Sequence, residues 1–169
     1  MLRATLILAL GLLAPLSHGG AIATQFSGGY GGVSWGTSLD SLVGMLPGGE
    51  HHFSTSPGER AYVAKNSDPF FGIPRSGMNI VYHMGKGNVV EDIEIGFPYE
   101  RRDQLIGVLL SLFGAYTQTV VNQGLAVIYQ WPRDNGITVT VRASTNPTNG
   151  ILEFGVARWS SAPKASQAR

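Results

Sequence analysis

The chain has 169 residues, 43% of them hydrophobic and 14% charged, with 12 Lys and Arg against 11 Asp and Glu. So even a balance gives no clustered cationic excess to hold phosphates, which argues against nucleic acid as a partner. The absence of cysteine excludes thiol catalysis, disulfide exchange and thiolate metal sites.

Arg3 heads an apolar run from Ala4 to Leu16. A short polar stretch then reaches Ala21-Ile22-Ala23, the small-x-small pattern after which signal peptidases cut. The run falls short of the roughly 18 to 20 apolar residues that span a bilayer, and Gly11 and Pro15 interrupt it. Residues 1–23 are expected to be a cleaved signal peptide, which implies a periplasmic or secreted protein with no stable membrane anchor. Arg3 leaves with the leader, so the remaining basic residues balance the 11 acids. What remains is one domain, long enough to bury about two thirds of the surface of its unfolded chain.

Thr24 to Gly32 is Gly-rich and polar and reads as a flexible leader, since its glycines do not fit the G-x-G-x-x-G of a phosphate loop. Gly32-Val33-Ser34-Trp35-Gly36 matches the G-x-S-x-G of a nucleophile elbow. An elbow needs a central strand before the serine with parallel neighbours, an oxyanion loop and a later acid and histidine, whereas only a short Gly-rich and polar stretch precedes Ser34 in the mature chain and the later pattern is of hairpins. Trp35 reads better as a core anchor, and a small serine hydrolase using Ser34 is kept as the rival reading. Thr37-Ser38-Leu39-Asp40 has capping-box spacing and should open a helix. Leu39, Leu42, Val43 and Leu46 give that helix one apolar stripe, and Pro47-Gly48-Gly49 ends it. Burying four such side chains is worth roughly 6 to 12 kcal/mol before ordering entropy is subtracted.

His51 and His52 are adjacent, so on an extended segment they point opposite ways; with no further ligand nearby they predict a solvated loop and no metal. Arg60 to Lys65 supplies a strand, and Asn66 to Gly77 is a long loop holding Asp68-Pro69 and Ile73-Pro74. Met78, Ile80, Tyr82 and Met84 alternate with polar or smaller neighbours, as do Ile93, Ile95 and Phe97 beyond the Gly85-Lys86-Gly87-Asn88 turn, which predicts a hairpin with one wet face. A second helix follows over 100–113, with Leu105, Leu109, Leu112 and Phe113 inward and Gly114 as its terminator. Four more strands are expected over 116–121, 125–131, 137–143 and 151–159, joined by turn-rich links that favour an antiparallel meander. Residues 160–169 carry no large apolar side chain and read as a disordered tail.

The fold class is therefore α+β, with two helices packed on one face of an antiparallel sheet. Asp40-Ser-Leu-Val-Gly-Met-Leu46 echoes Asp103-Gln-Leu-Ile-Gly-Val-Leu109, and helix-then-strands occurs twice, over 33–98 and 99–159. That is either a tandem duplication or the ordinary likeness of two amphipathic helices. Trp35-Gly36-Thr37-Ser38, the helix end at Leu46-Pro47, the Tyr82 strand and Leu112-Phe113-Gly114 resemble small envelope proteins built from helix-plus-antiparallel-sheet modules. These are the outer-membrane assembly lipoproteins and the tandem-module β-lactamase inhibitor proteins. The chain departs from them in lacking the lipoprotein cysteine and the inhibitor disulfides. The resemblance implies binding to another protein and no reaction.

Candidate contact residues fall in two groups. Phe70, Phe71 and Arg75 give the long loop the composition of an interaction hot spot, although the aromatics could equally plug the edge of the core. His83, Asp92 and Glu94, with Thr138, Thr140, Arg142, Glu153 and Trp159 from the second half, belong on the wet sheet face. Asp92 and Glu94 sit on one strand, whereas glycosidic acid-base work needs two carboxyls facing across a cleft. The expectation is an exported protein-binding module that engages another envelope or secreted protein, with no catalytic residue, metal or cofactor. A structural component of an envelope assembly is a further alternative.

Overall fold

The computed structural model describes residues 20–53 and 60–158. Trp159, the tail 160–169 and most of the expected signal peptide lie outside them.

Eight strands form one antiparallel sheet: β1 (Glu50–Phe53), β2 (Arg60–Lys65), β3 (Asn79–Met84), β4 (Val90–Gly96), β5 (Thr117–Val121), β6 (Ala126–Gln130), β7 (Ile137–Ser144) and β8 (Leu152–Arg158). Their spatial order is β1-β2-β3-β4-β8-β7-β6-β5. Each half is a helix followed by a four-stranded meander, and the two meanders meet through their fourth strands. Ile93 opposes Val156, Glu94 opposes Gly155 and Ile95 opposes Phe154 along that central seam. A two-residue turn recurs between the second and third strands of each half. Phe70 pairs with Ile73 around Phe71 and Gly72, and Asp134 pairs with Ile137 around Asn135 and Gly136, all four central residues having positive φ. Asn-Gly tolerates that geometry readily, whereas Phe71 at φ 48° is strained. Its ring, packed edge-on to Phe70 and Phe113, holds it there.

Period-two alternation decides the faces. Ile80, Tyr82, Ile93, Ile95, Val139, Val141, Phe154 and Val156 all point to one side and are buried. Three helices supply the other wall of that core: α1 (Ala21–Phe26), α2 (Leu39–Met45) and α3 (Arg102–Phe113). In α2 Leu39 and Leu42 are buried, and Val43 and Leu46 pack beside them. The cap falls one residue later than the capping-box spacing predicts: Ser41 N–H donates to Ser38 Oγ at 3.2 Å, while the Thr37 hydroxyl donates to the Ser34 carbonyl. A 3₁₀ turn, Tyr99–Arg101, leads into α3, which buries Leu105, Leu109 and Phe113 and ends at Gly114 with φ 77°.

Two expectations need correction. Residues 24–32 are not a loose leader. Phe26, 1% exposed, packs against Phe113 and Phe154, and its carbonyl accepts the Trp35 indole N–H at 2.6 Å. The glycines serve the compact turn that follows: a Cβ on Gly29 would stand 2.0 Å from the Val33 carbonyl oxygen. The His51-His52 segment is not a loop but the edge strand β1, with His51 opposite Tyr62.

Candidate functional site

The sheet face turned away from the helices is wet, and its central strands carry most of the polar side chains. Adjacent strands supply them in rows. Asp92 opposes Ala157, which opposes Thr138; Glu94 opposes Gly155, which opposes Thr140. In the next row Glu153 opposes Arg142, which opposes Ile128. Gly155 and Ala157 lack bulk at the middle of this array. They floor a depression of about 180 Å³ walled by Asp92, Glu94, Ile128, Thr138, Thr140, Arg142 and Glu153. The floor is tightly gauged, because a Cβ on Gly155 would lie 2.8 Å from Thr140 Oγ1.

Four side chains form a chain of charge across three strand junctions. His83 Nε2 lies 3.5 Å from Glu94 Oε2, and Arg142 Nη1 lies 3.5 Å from Glu153 Oε2. Glu94 and Glu153 share a hydrogen bond between them. Their environments push the two carboxyls apart. The hydrogen bond from His83 holds Glu94 below the usual carboxylate range, against the opposing effect of burial. Burial, reinforced by the negative charge on Glu94, pushes Glu153 up to about 6. Below that pH Glu153 is the proton donor to Glu94. The carboxyls lie side by side on neighbouring strands of an open face, so the arrangement suits gripping complementary polar and charged groups.

The structure brings His83, Asp92, Glu94 and Arg142 together, as the wet-face reading expected. It does not do so for the loop group. Phe70 is 1% exposed with its ring 4.6 Å from that of Phe154, on the helix side of the sheet, and Arg75 is fully buried. Phe71 packs partly buried against the same core. The Arg75 guanidinium donates from Nε to the Gly96 carbonyl, from Nη1 to Asn66 Oδ1 and the Asp68 carbonyl, and from Nη2 to the Asn79 carbonyl. It also lies 5.4 Å from the Phe97 ring centre. Phe70 and Arg75 are thus interior fixtures that tie residues 66–79 to the sheet, not an exposed hot spot. Glu153, one wet-face residue among several in the sequence, and Gly155, absent from that group, are central to the array. Their signal was the alternation with buried Leu152, Phe154 and Val156, which turns both toward the wet face.

Ser34 is exposed in a loop between the Tyr30–Val33 turn and α2, and among the described residues the sheet has no parallel strand pair to form an elbow. Among the described residues no three His, Asp or Glu side chains gather as a metal site, and no helix is long and apolar enough to cross a membrane. Comparison with protein-family models, curated proteins and solved structures returned no match.

Proposed function

We propose that the chain is an exported binding module that holds another envelope or secreted protein against the wet face of its sheet. One observation carries the reading: three helices cover one face of an eight-stranded sheet, while the other keeps a mixed-charge network around a small depression. Ordering His83, Glu94, Glu153 and Arg142 in this way costs side-chain entropy, and surface ion pairs return little of it as stability. A polar, half-desolvated patch with an Arg at its rim has the make-up of a recognition surface. The apolar run Ala4–Leu16 supports the exported destination.

The test is a photo-cross-linking residue placed at Thr140 beside the depression, or at Gln104 on the exposed side of α3, in the chain expressed in its native host. Adducts with one protein from position 140 alone, lost on adding Arg142→Glu without a change in melting temperature, are the expected result. Equal adducts from both positions, or none from position 140, would refute it.

A further inference from the structure

The residues that mark the signal-peptidase motif are part of the folded domain. Ile22 is 4% exposed and Ala23 9%, both set in the core on α1. The Ala23 N–H donates to Asp134 Oδ2 at 2.8 Å, which fastens α1 to the turn before β7. Thr24 closes the helix onto Gly20, its N–H and its hydroxyl both donating to the Gly20 carbonyl, at 2.8 and 2.7 Å. A cut after Ala23 would remove Ile22 from the core, the amide that Asp134 accepts from and the carbonyl that Thr24 bonds to.

We infer that export processing leaves Ala21-Ile22-Ala23 in the mature protein and that the scissile bond is Gly19–Gly20, an inference that rests on the chain being exported. Ser17-His18-Gly19 offers a second small-x-small triplet, directly after the apolar run Ala4–Leu16. The step is a hydrolysis by the host's signal peptidase. Water adds across the Gly19–Gly20 peptide bond, leaving a carboxylate on Gly19 and an ammonium on Gly20. The cut at this bond leaves every contact of α1 described above intact. Ala21 and Ala23 then serve as small residues that let α1 sit close to the sheet, not as recognition sites for the peptidase.

The experiment is to express the full chain, with its own N-terminus, in an exporting bacterial host, and to determine the mature terminus by intact mass and N-terminal sequencing. A mature protein beginning at Gly20 is the expected result, one beginning at Ala21 or later would overturn the inference, and Gly19→Leu, which places a bulky residue at the scissile position, should accumulate precursor. A mature protein beginning at Thr24 would overturn the inference and leave the export reading standing. An uncut chain retained in the cytoplasm would defeat the export reading and this inference with it. A second measurement guards against a cut permitted by the host alone. Protein released from a cleavable fusion to begin at Thr24 should lose about tenfold or more in its folding equilibrium relative to protein beginning at Gly20. Equal stability would show that Ile22 and Ala23 are dispensable and would overturn the inference.

Discussion

Replacing Arg75 separates an interior fixture from a contact surface. Arg75→Leu removes four hydrogen bonds and takes the guanidinium from three backbone carbonyls, leaving Asn66 Oδ1 with only the Asp68 N–H. At about 1 kcal/mol net for each bond, the loss is about 4 kcal/mol, with about 0.5 to 1 kcal/mol more for the Phe97 contact. Against this stands relief from holding a cation out of water, the same burial that pulls the Arg75 pKa down. A net destabilisation of about 2 to 3 kcal/mol follows. Arg75→Lys should do no better, because an ammonium on a single stem cannot reach acceptors on the loop, β3 and the end of β4 together. Urea unfolding followed by fluorescence of the buried Trp35 and Trp131 reads the effect. With a slope near 1.5 kcal/mol per molar, the midpoint should fall by about 1.5 M. A leucine variant within about 0.5 kcal/mol of the parent, or full rescue by lysine, would refute the reasoning.

Further variants probe the wet face and the strained turn. Glu153 has a raised folded pKa of about 6, so its contribution is fully present below its unfolded value and is lost as pH rises through 6. Stability should therefore rise by about 1 kcal/mol, after allowance for solvent screening, between pH 7 and pH 5, before depressed Glu94 reverses the trend in stronger acid. Glu153→Gln should flatten the upper limb in urea melts at the two pH values; an unchanged slope would count against the shared proton. Gly155→Ala should cost about 1 kcal/mol by driving a methyl toward Thr140 Oγ1, and a double-mutant cycle with Thr140→Ala should recover most of it, whereas additive losses would place the strain elsewhere. Phe70→Ala should cost about 3 to 5 kcal/mol, while Phe71→Asn, which trades a ring for relief of positive φ, should cost less than half as much by the same assay.

Where a physical signal is local, the sequence carried it. The strands with clean alternation, the stripes of α2 and α3 and the glycine after Phe113 all fall within a residue or two of expectation. What failed depended on partners far along the chain. Nothing near Arg75 announces that Gly96, 21 residues on, will return to offer it a carbonyl, so a charged residue in a loop with two aromatics reads as surface. β1 carries only one residue opposite a buried Tyr62, too little to stand out as a strand. Ala21-Ile22-Ala23 satisfies two patterns at once, and only the pocket made by β7 and α3 favours the helix. The wet face was legible within each half, residue by residue. That Glu94 meets Glu153 follows from the β4–β8 seam, a pairing of strands about sixty residues apart that no local pattern specifies.

That seam has a consequence for assembly. The eighth strand in chain order occupies the middle of the sheet, so the first meander must wait with β4 as a bare flank until the second half is available. Folding is thereby deferred to the end of delivery, and the unclosed flank invites another chain to fill the gap in the meantime. An interruption ahead of Leu152 would not trim a border but split the molecule down its axis.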